Sequence, residues 1–143
     1  MMKVEKNVLV AHTAEQMFQL VDTIKDYPKF LPWCSQAIEI ERTDNEVEAS
    51  LHMDYMRIRQ QFTTRNHNVL NQHIHMKLVD GPFRYLEGQW HFTPLGDFGC
   101  KIEFTLDYEF ANPFLSKLIG PVFSKISGTL VDAFIKEADR RYD

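Results

Sequence analysis

Ile102-Glu103-Phe104-Thr105-Leu106-Asp107-Tyr108-Glu109-Phe110, followed directly by Ala111-Asn112-Pro113, is the stretch that decides the fold. Its even positions are all apolar and its odd positions are Glu, Thr, Asp and Glu. Such a period of two makes a strand with one greasy face and one wet face. Asn112 then supplies an N-cap, and Pro113 suits the first turn of a helix. Leu115, Leu118, Ile119, Val122, Ile126, Leu130, Phe134 and Ala138 recur at steps of three and four. A helix from Pro113 to Tyr142 is about 45 Å long. Its apolar stripe needs a broad apolar partner, and a one-sided antiparallel sheet provides it.

Working outward, Val4 to Val10 alternates as a first strand. Thr13 and Gln16 have capping-box spacing, and Met17, Leu20, Val21 and Ile24 form a short amphipathic helix behind them. Asp26 to Phe30 holds one more helical turn before Pro32 ends it. Further strands follow over 38–41, 47–53 and 58–65, with turns at 43–45 and 66–71. Ile74, Met76 and Leu78 give the inner face of the fifth strand; Asp80-Gly81-Pro82 turns into the sixth, where Leu86, Trp90 and Phe92 face inward. The pattern predicts an α+β domain over 1–143: one strand, two short helices, six strands and a long helix, in a mostly antiparallel meander.

Composition narrows the function. Hydrophobic residues are 44% and aromatics 13%, with 11 Phe, so the chain has a packed core. The formal net charge of −4 argues against general attraction to nucleic acid, and DNA is not an expected partner. Cys34 and Cys100 lie far apart outside any C-x-x-C pattern, as expected of reduced thiols in a cytoplasmic protein. No uninterrupted apolar run suits a membrane span, and the first ten residues do not read as a signal peptide.

Tyr27-Pro28-Lys29-Phe30-Leu31-Pro32-Trp33-Cys34, then Phe62-Thr63-Thr64-Arg65-Asn66, then Leu78-Val79-Asp80-Gly81-Pro82-Phe83 with Leu86, Gly88, Trp90 and Phe92 form an ordered series of motifs. In these motifs the chain resembles the coenzyme Q-binding START-domain family along nearly its whole length. The resemblance implies a helix-grip fold: a curved seven-stranded antiparallel sheet around the C-terminal helix, with two small helices closing one end. It also implies an isoprenoid-quinone ligand such as ubiquinone, a role in respiration, and peripheral contact with the inner membrane. Some bacterial members of the family associate with the large ribosomal subunit and hinder subunit association.

The inward residues have two readings. Phe62, Met76, Leu78, Trp90, Phe104, Leu106 and Tyr108 either pack against Val122, Ile126 and Leu130 or line a cavity with them. Phe30 and Trp33 form its lid or a packed cap, and Phe83 touches a ligand or serves a plain turn. Gln60, Thr64 and Asn66 share the inward register as neutral polar groups. No Asp, Glu or His shares it on the central strands, so a general base is missing and a polyketide cyclase-like enzyme is the minor alternative. Gly120-Pro121 predicts a kink that opens a mouth at the helix. His73 and His75, with His91 opposite, are a solvated row rather than a metal site. Arg57, Arg59 and Arg65 with Lys77 form an outward basic stripe suited to RNA phosphate, set against an acidic edge at Glu103, Asp107 and Glu109.

Overall fold

The computed structural model describes residues 1–142. Strand β1 (Met2–Val10) is followed by helix α1 (Ala14–Asp22) and a 3-10 helix over Ile24–Lys29. Strands β2 (Cys34–Arg42), β3 (Glu46–Tyr55), β4 (Ile58–Val69), β5 (His73–Asp80), β6 (Phe83–Leu95) and β7 (Gly99–Phe110) precede helix α2 (Pro113–Tyr142). All seven strands lie in one sheet of order β1-β7-β6-β5-β4-β3-β2, and each neighbouring pair is antiparallel. This is the helix-grip arrangement that the family resemblance implies, and the strand count read from the alternation agrees with it.

Local chemistry sets the boundaries. The Thr13 hydroxyl accepts from the Gln16 amide at 3.1 Å and the Gln16 side chain accepts from the Thr13 amide at 2.9 Å, closing the capping box that starts α1. The Asn112 side chain accepts from the Leu115 amide at 2.9 Å and starts α2. Register shifts fall between Cys34 and Gln36, Glu39 and Glu41, Thr63 and Thr64, and Phe83 and Tyr85. Extra residues of this kind bend and twist a sheet, which curls it around α2. At the β5–β6 turn Gly81 has φ +147°, and a Cβ there would meet Phe62 Cβ at 2.7 Å. Only glycine fits that close approach.

Several expectations shift. β4 continues through Asn66 to Val69, with the turn only over 70–72, where Asn71 has φ 61°. Asn66 is buried in the ladder because its side chain accepts from the Thr64 hydroxyl at 3.0 Å. Pro121 sits within α2 without interrupting it. The buried stripe of α2 runs through Ile119, Val122, Phe123, Ile126, Ser127, Val131, Phe134 and Ala138, whereas Leu118 is exposed. By length and composition α2 also passes for a membrane-crossing helix, which the run of its residues had not suggested. Its apolar stripe is covered by the sheet and α1 instead. β7 is no edge: it lies between β1 and β6, and Lys101, Lys3 and Arg84 pair with Glu103, Asp107 and Glu109.

Candidate ligand cavity and its groove

Two adjoining spaces lie where α2 crosses the sheet. The outer one is a groove of about 530 Å³ between the 30–33 segment and the side of α2 from Lys125 to Arg140. Phe30, Leu31, Trp33 and Tyr55 wall it on one side; Ile126, Leu130 and Ala133 wall it on the other. The inner one is a cavity of about 80 Å³ bordered by the sheet, α2, Tyr27 and Trp33. Trp33, Ile126 and Leu130 border both, so these three side chains are the partition between groove and cavity.

The inner wall is almost wholly apolar. Trp90 lies against Phe104 with ring centroids 4.6 Å apart and against Phe134 at 5.3 Å, edge to face. Phe134 in turn takes Tyr27 and Phe30, each at 5.3 Å, edge to face. Hydroxyls come from three places. Thr64 donates to Asn66, Ser127 donates to the Phe123 carbonyl at 2.8 Å, and Tyr27 donates to the Val21 carbonyl. Burial, helped by the negative charge of Asp22, pushes the Tyr27 phenol well above its ordinary range, so it stays neutral. Among the described residues no Asp, Glu or His borders the inner cavity. Its hydroxyls can orient a carbonyl or hydroxyl but offer no general base.

Nine of the residues expected around a cavity do border it: Trp33, Phe62, Thr64, Met76, Trp90, Phe104, Leu106, Ile126 and Leu130. Phe30 lies in the outer groove. Five lie elsewhere. Phe83 and Tyr108 pack with Phe123, with centroids 5.0 and 4.7 Å away, in a neighbouring aromatic cluster beside the cavity. Val122 is displaced by Phe123, its larger neighbour on the same stripe, which faces the cavity. Gln60 sits in a shallow polar depression with His52 and Arg59, near the turn end of the β3–β4 hairpin. Leu78 borders a different surface depression, with Arg65 and Lys77. The residues missed are Tyr27, Leu51, Leu86, Phe123, Ser127 and Phe134. Leu51 and Leu86 carried the inward alternation as a signal; Ser127 carried one too, as a small polar residue on an apolar helix face.

The outer rim is charged. Glu137 is buried on α2 beside the groove, and Arg140 and Arg141 reach its carboxylate at 2.6 and 2.5 Å. The Arg140 hydrogen bonds, opposed by burial and aided by Arg141, bring its pKa down from 4.5 to about 2. It is a fixed negative charge at any physiological pH.

The basic stripe is not free. Arg65 and Lys77 are cross-strand partners as expected, but Arg65 meets Glu41, Glu46 and Glu48 at 3.5, 3.2 and 3.3 Å. Arg59 pairs with Asp54 at 3.3 Å. Arg57 sits in the β3–β4 turn with φ 69° rather than on the strand. The alternation of cations concealed the carboxylates on the strand next door. His73 and His91 do face each other, stacked at 4.2 Å, with His73 bonded to Gln89 and His75 to Glu87. Among the described residues no three metal-ligand side chains converge.

A helix-grip domain with an apolar cavity under its long helix also has counterparts among known proteins. The family model for polyketide cyclase/dehydrase and lipid transport matches residues 10–135. The chain belongs to that START-like family. It is 42% identical over 142 residues to the ribosome association toxin RatA of Escherichia coli, covering 99% of this chain and 90% of that one. It is 25% identical over 139 residues to the mitochondrial coenzyme Q-binding protein COQ10 homolog B of Xenopus laevis, spanning 94% of this chain but 57% of that longer one. Among solved structures, the Zhui aromatase/cyclase of Streptomyces sp. R1128 superposes with a TM-score of 0.85 at 18% identity, over 99% and 96% of the two chains. That likeness speaks for the fold.

Proposed function

We propose that the chain is a non-catalytic binding protein for a hydrophobic small molecule with a polar head, an isoprenoid quinone of the ubiquinone type. The observation that carries this reading is the pair of spaces divided only by Trp33, Ile126 and Leu130. At about 80 Å³ the inner cavity has room for two or three waters, each taking ~30 Å³ in the liquid. Drug-sized ligands occupy ~300–1,000 Å³. Binding therefore requires the partition side chains to swing aside and merge cavity with groove. The quinone ring then lies against Thr64 and Ser127 and the isoprenoid tail leaves along α2. The absence of an acid or base from the inner wall favours binding over catalysis. The printed name of the Xenopus relative favours a quinone. Such a ligand would bring a cytoplasmic protein into peripheral contact with the inner membrane.

A second reading rests on the E. coli relative, whose name and near full-length similarity favour association with the ribosome, by way of the large subunit. The two readings are compatible. The ion-paired Arg65 and Arg59 make the β4 face a poor phosphate site, so such a contact would use another surface. One preparation tests both. Protein purified without detergent should yield a polyprenyl quinone on solvent extraction and mass spectrometry. Sedimented from low-salt lysate, it should travel with large subunits and leave them steeply as salt rises. Extracts carrying no more isoprenoid lipid than an unrelated protein of equal hydrophobicity would defeat the first reading. Protein that stays in the supernatant at every salt concentration would defeat the second.

A further inference from the structure

The partition must open, and the structure shows what holds it closed. The 3-10 helix and the residues after it, 24–33, form a strap from α1 to β2 that carries Tyr27, Phe30 and Trp33. The Trp33 carbonyl accepts from the Asp54 amide at 2.8 Å, which pins the end of the strap to the sheet. Upstream of that pin, Phe30 and Leu31 close over α2. Arg141, on the last turn of α2, donates to Asp26 of the strap at 3.4 Å and lies 5.5 Å from the centroid of the Phe30 ring. Among the described residues this is the one ion pair between strap and α2. Arg141 does not wander into this pose. Its Nε donates to Glu137 at 2.5 Å, and Glu137 is itself held by Arg140. A guanidinium whose orientation is already fixed loses little further freedom in meeting its second partner.

We propose that Arg141 is a latch, fastening the 24–33 strap to α2 and so setting how readily the inner cavity is reached. The inference deepens the ligand-binding reading and rests on it, since a latch matters where something enters. Release gives up the Asp26 contact and the Phe30 face, and lets the Tyr27 and Phe30 rings slide from Phe134; Glu137 keeps Arg141 in place for reclosure. Arg141 touches no part of the inner cavity, so it acts on access and not on the fit of the bound head group. Both side chains of the latch pair are partly exposed, 24% for Arg141 and 18% for Asp26. A pair of that kind is screened by salt.

The test needs no ligand at first. The chain has two tryptophans, so in a Trp90→Phe background Trp33 is the only indole and reports on the partition. Arg141→Ala should raise acrylamide quenching of Trp33 roughly two- to fivefold, the range a partly exposed ion pair commands. Asp26→Asn should do the same from the strap side, and Arg141→Lys should fall between, keeping the charge but losing the planar stack. Salt at ~1 M, where the Debye length is about 3 Å, should raise quenching in the background protein and leave Arg141→Ala unmoved. In stopped flow, a decyl-tailed benzoquinone should enter Arg141→Ala faster by a similar factor. Folded Arg141→Ala and Asp26→Asn proteins with unchanged quenching would overturn the latch. A decyl-quinone that binds none of the proteins, while quenching rises as expected, would overturn the ligand reading and leave the latch standing as a property of the strap.

Discussion

Trp90→Ala should lower stability by about 3–5 kcal/mol, the usual cost of removing a large buried aromatic. Trp90 is 2% exposed at the centre of the sheet, in contact with Phe92 and Phe104 from the strands and with Phe134 from α2. Its loss removes the surface on which α2 rests and adds its own volume to an existing void. Phe92 and Phe134 cannot readily collapse into that space, because Phe18 holds the first edge to face and Tyr27 and Phe30 hold the second. The melting temperature should fall by roughly 10–15 °C for a domain of this size. That is a large share of a total stability of ~5–15 kcal/mol. Trp90→Phe should cost far less, since an aromatic ring remains against Phe134. Urea titration of the two variants is the measurement. A Trp90→Ala protein within about 1 kcal/mol of wild type would mean that α2 is not held chiefly by this aromatic column.

The fold was legible because its signals are local. Alternation over 102–110, the Asn112 cap and the Thr13–Gln16 capping box each act within a few residues, and each appears in the structure as written in the sequence. Inward parity also placed most of the cavity wall, since side-chain direction on a strand follows from position alone. What parity cannot convey is which inward residues leave space. Phe83 and Tyr108 point inward with Leu106 but are filled against Phe123, a matter of which ring meets which between strands and helix far apart in the chain. On α2 the stripe is wide enough to hold both Val122 and Phe123, and only the packed sheet decides which one faces the cavity. The arginines show the same limit in charge. Arg65 looked free because Glu46 and Glu48 stand on the neighbouring strand, opposite His67 and Arg65 itself, where one-dimensional spacing does not reach. Phe30 and Arg141 likewise meet only after the chain has wrapped once around itself.

Gly88→Ala should empty the cavity of ligand while leaving the fold standing. Gly88 faces inward on β6 between Met76 and Leu106, its partners on β5 and β7. Both of those side chains border the inner cavity. The missing side chain leaves them room to lie back along the sheet. A Cβ at position 88 would stand 2.6 Å from Met76 Cε and 3.1 Å from Leu106 Cδ1. Met76 is flexible at its far end and can yield, but with the sheet behind it the free direction is into the cavity. A methyl and a displaced thioether in about 80 Å³ take up much of the space a ring would use. The backbone at Gly88 is an ordinary strand with no positive φ, so alanine adds no backbone strain and restricts the unfolded chain. Overpacking of about 1–3 kcal/mol is thereby partly offset, and the melting temperature should move by only a few degrees. The isoprenoid lipid recovered per mole of protein should nonetheless fall by roughly tenfold, which corresponds to about 1.4 kcal/mol of lost affinity. Extraction and mass spectrometry beside a urea titration of the same sample separate the two effects. A stable Gly88→Ala protein with full lipid occupancy would place the ligand in the outer groove alone, with its head group short of the Trp33–Ile126–Leu130 partition.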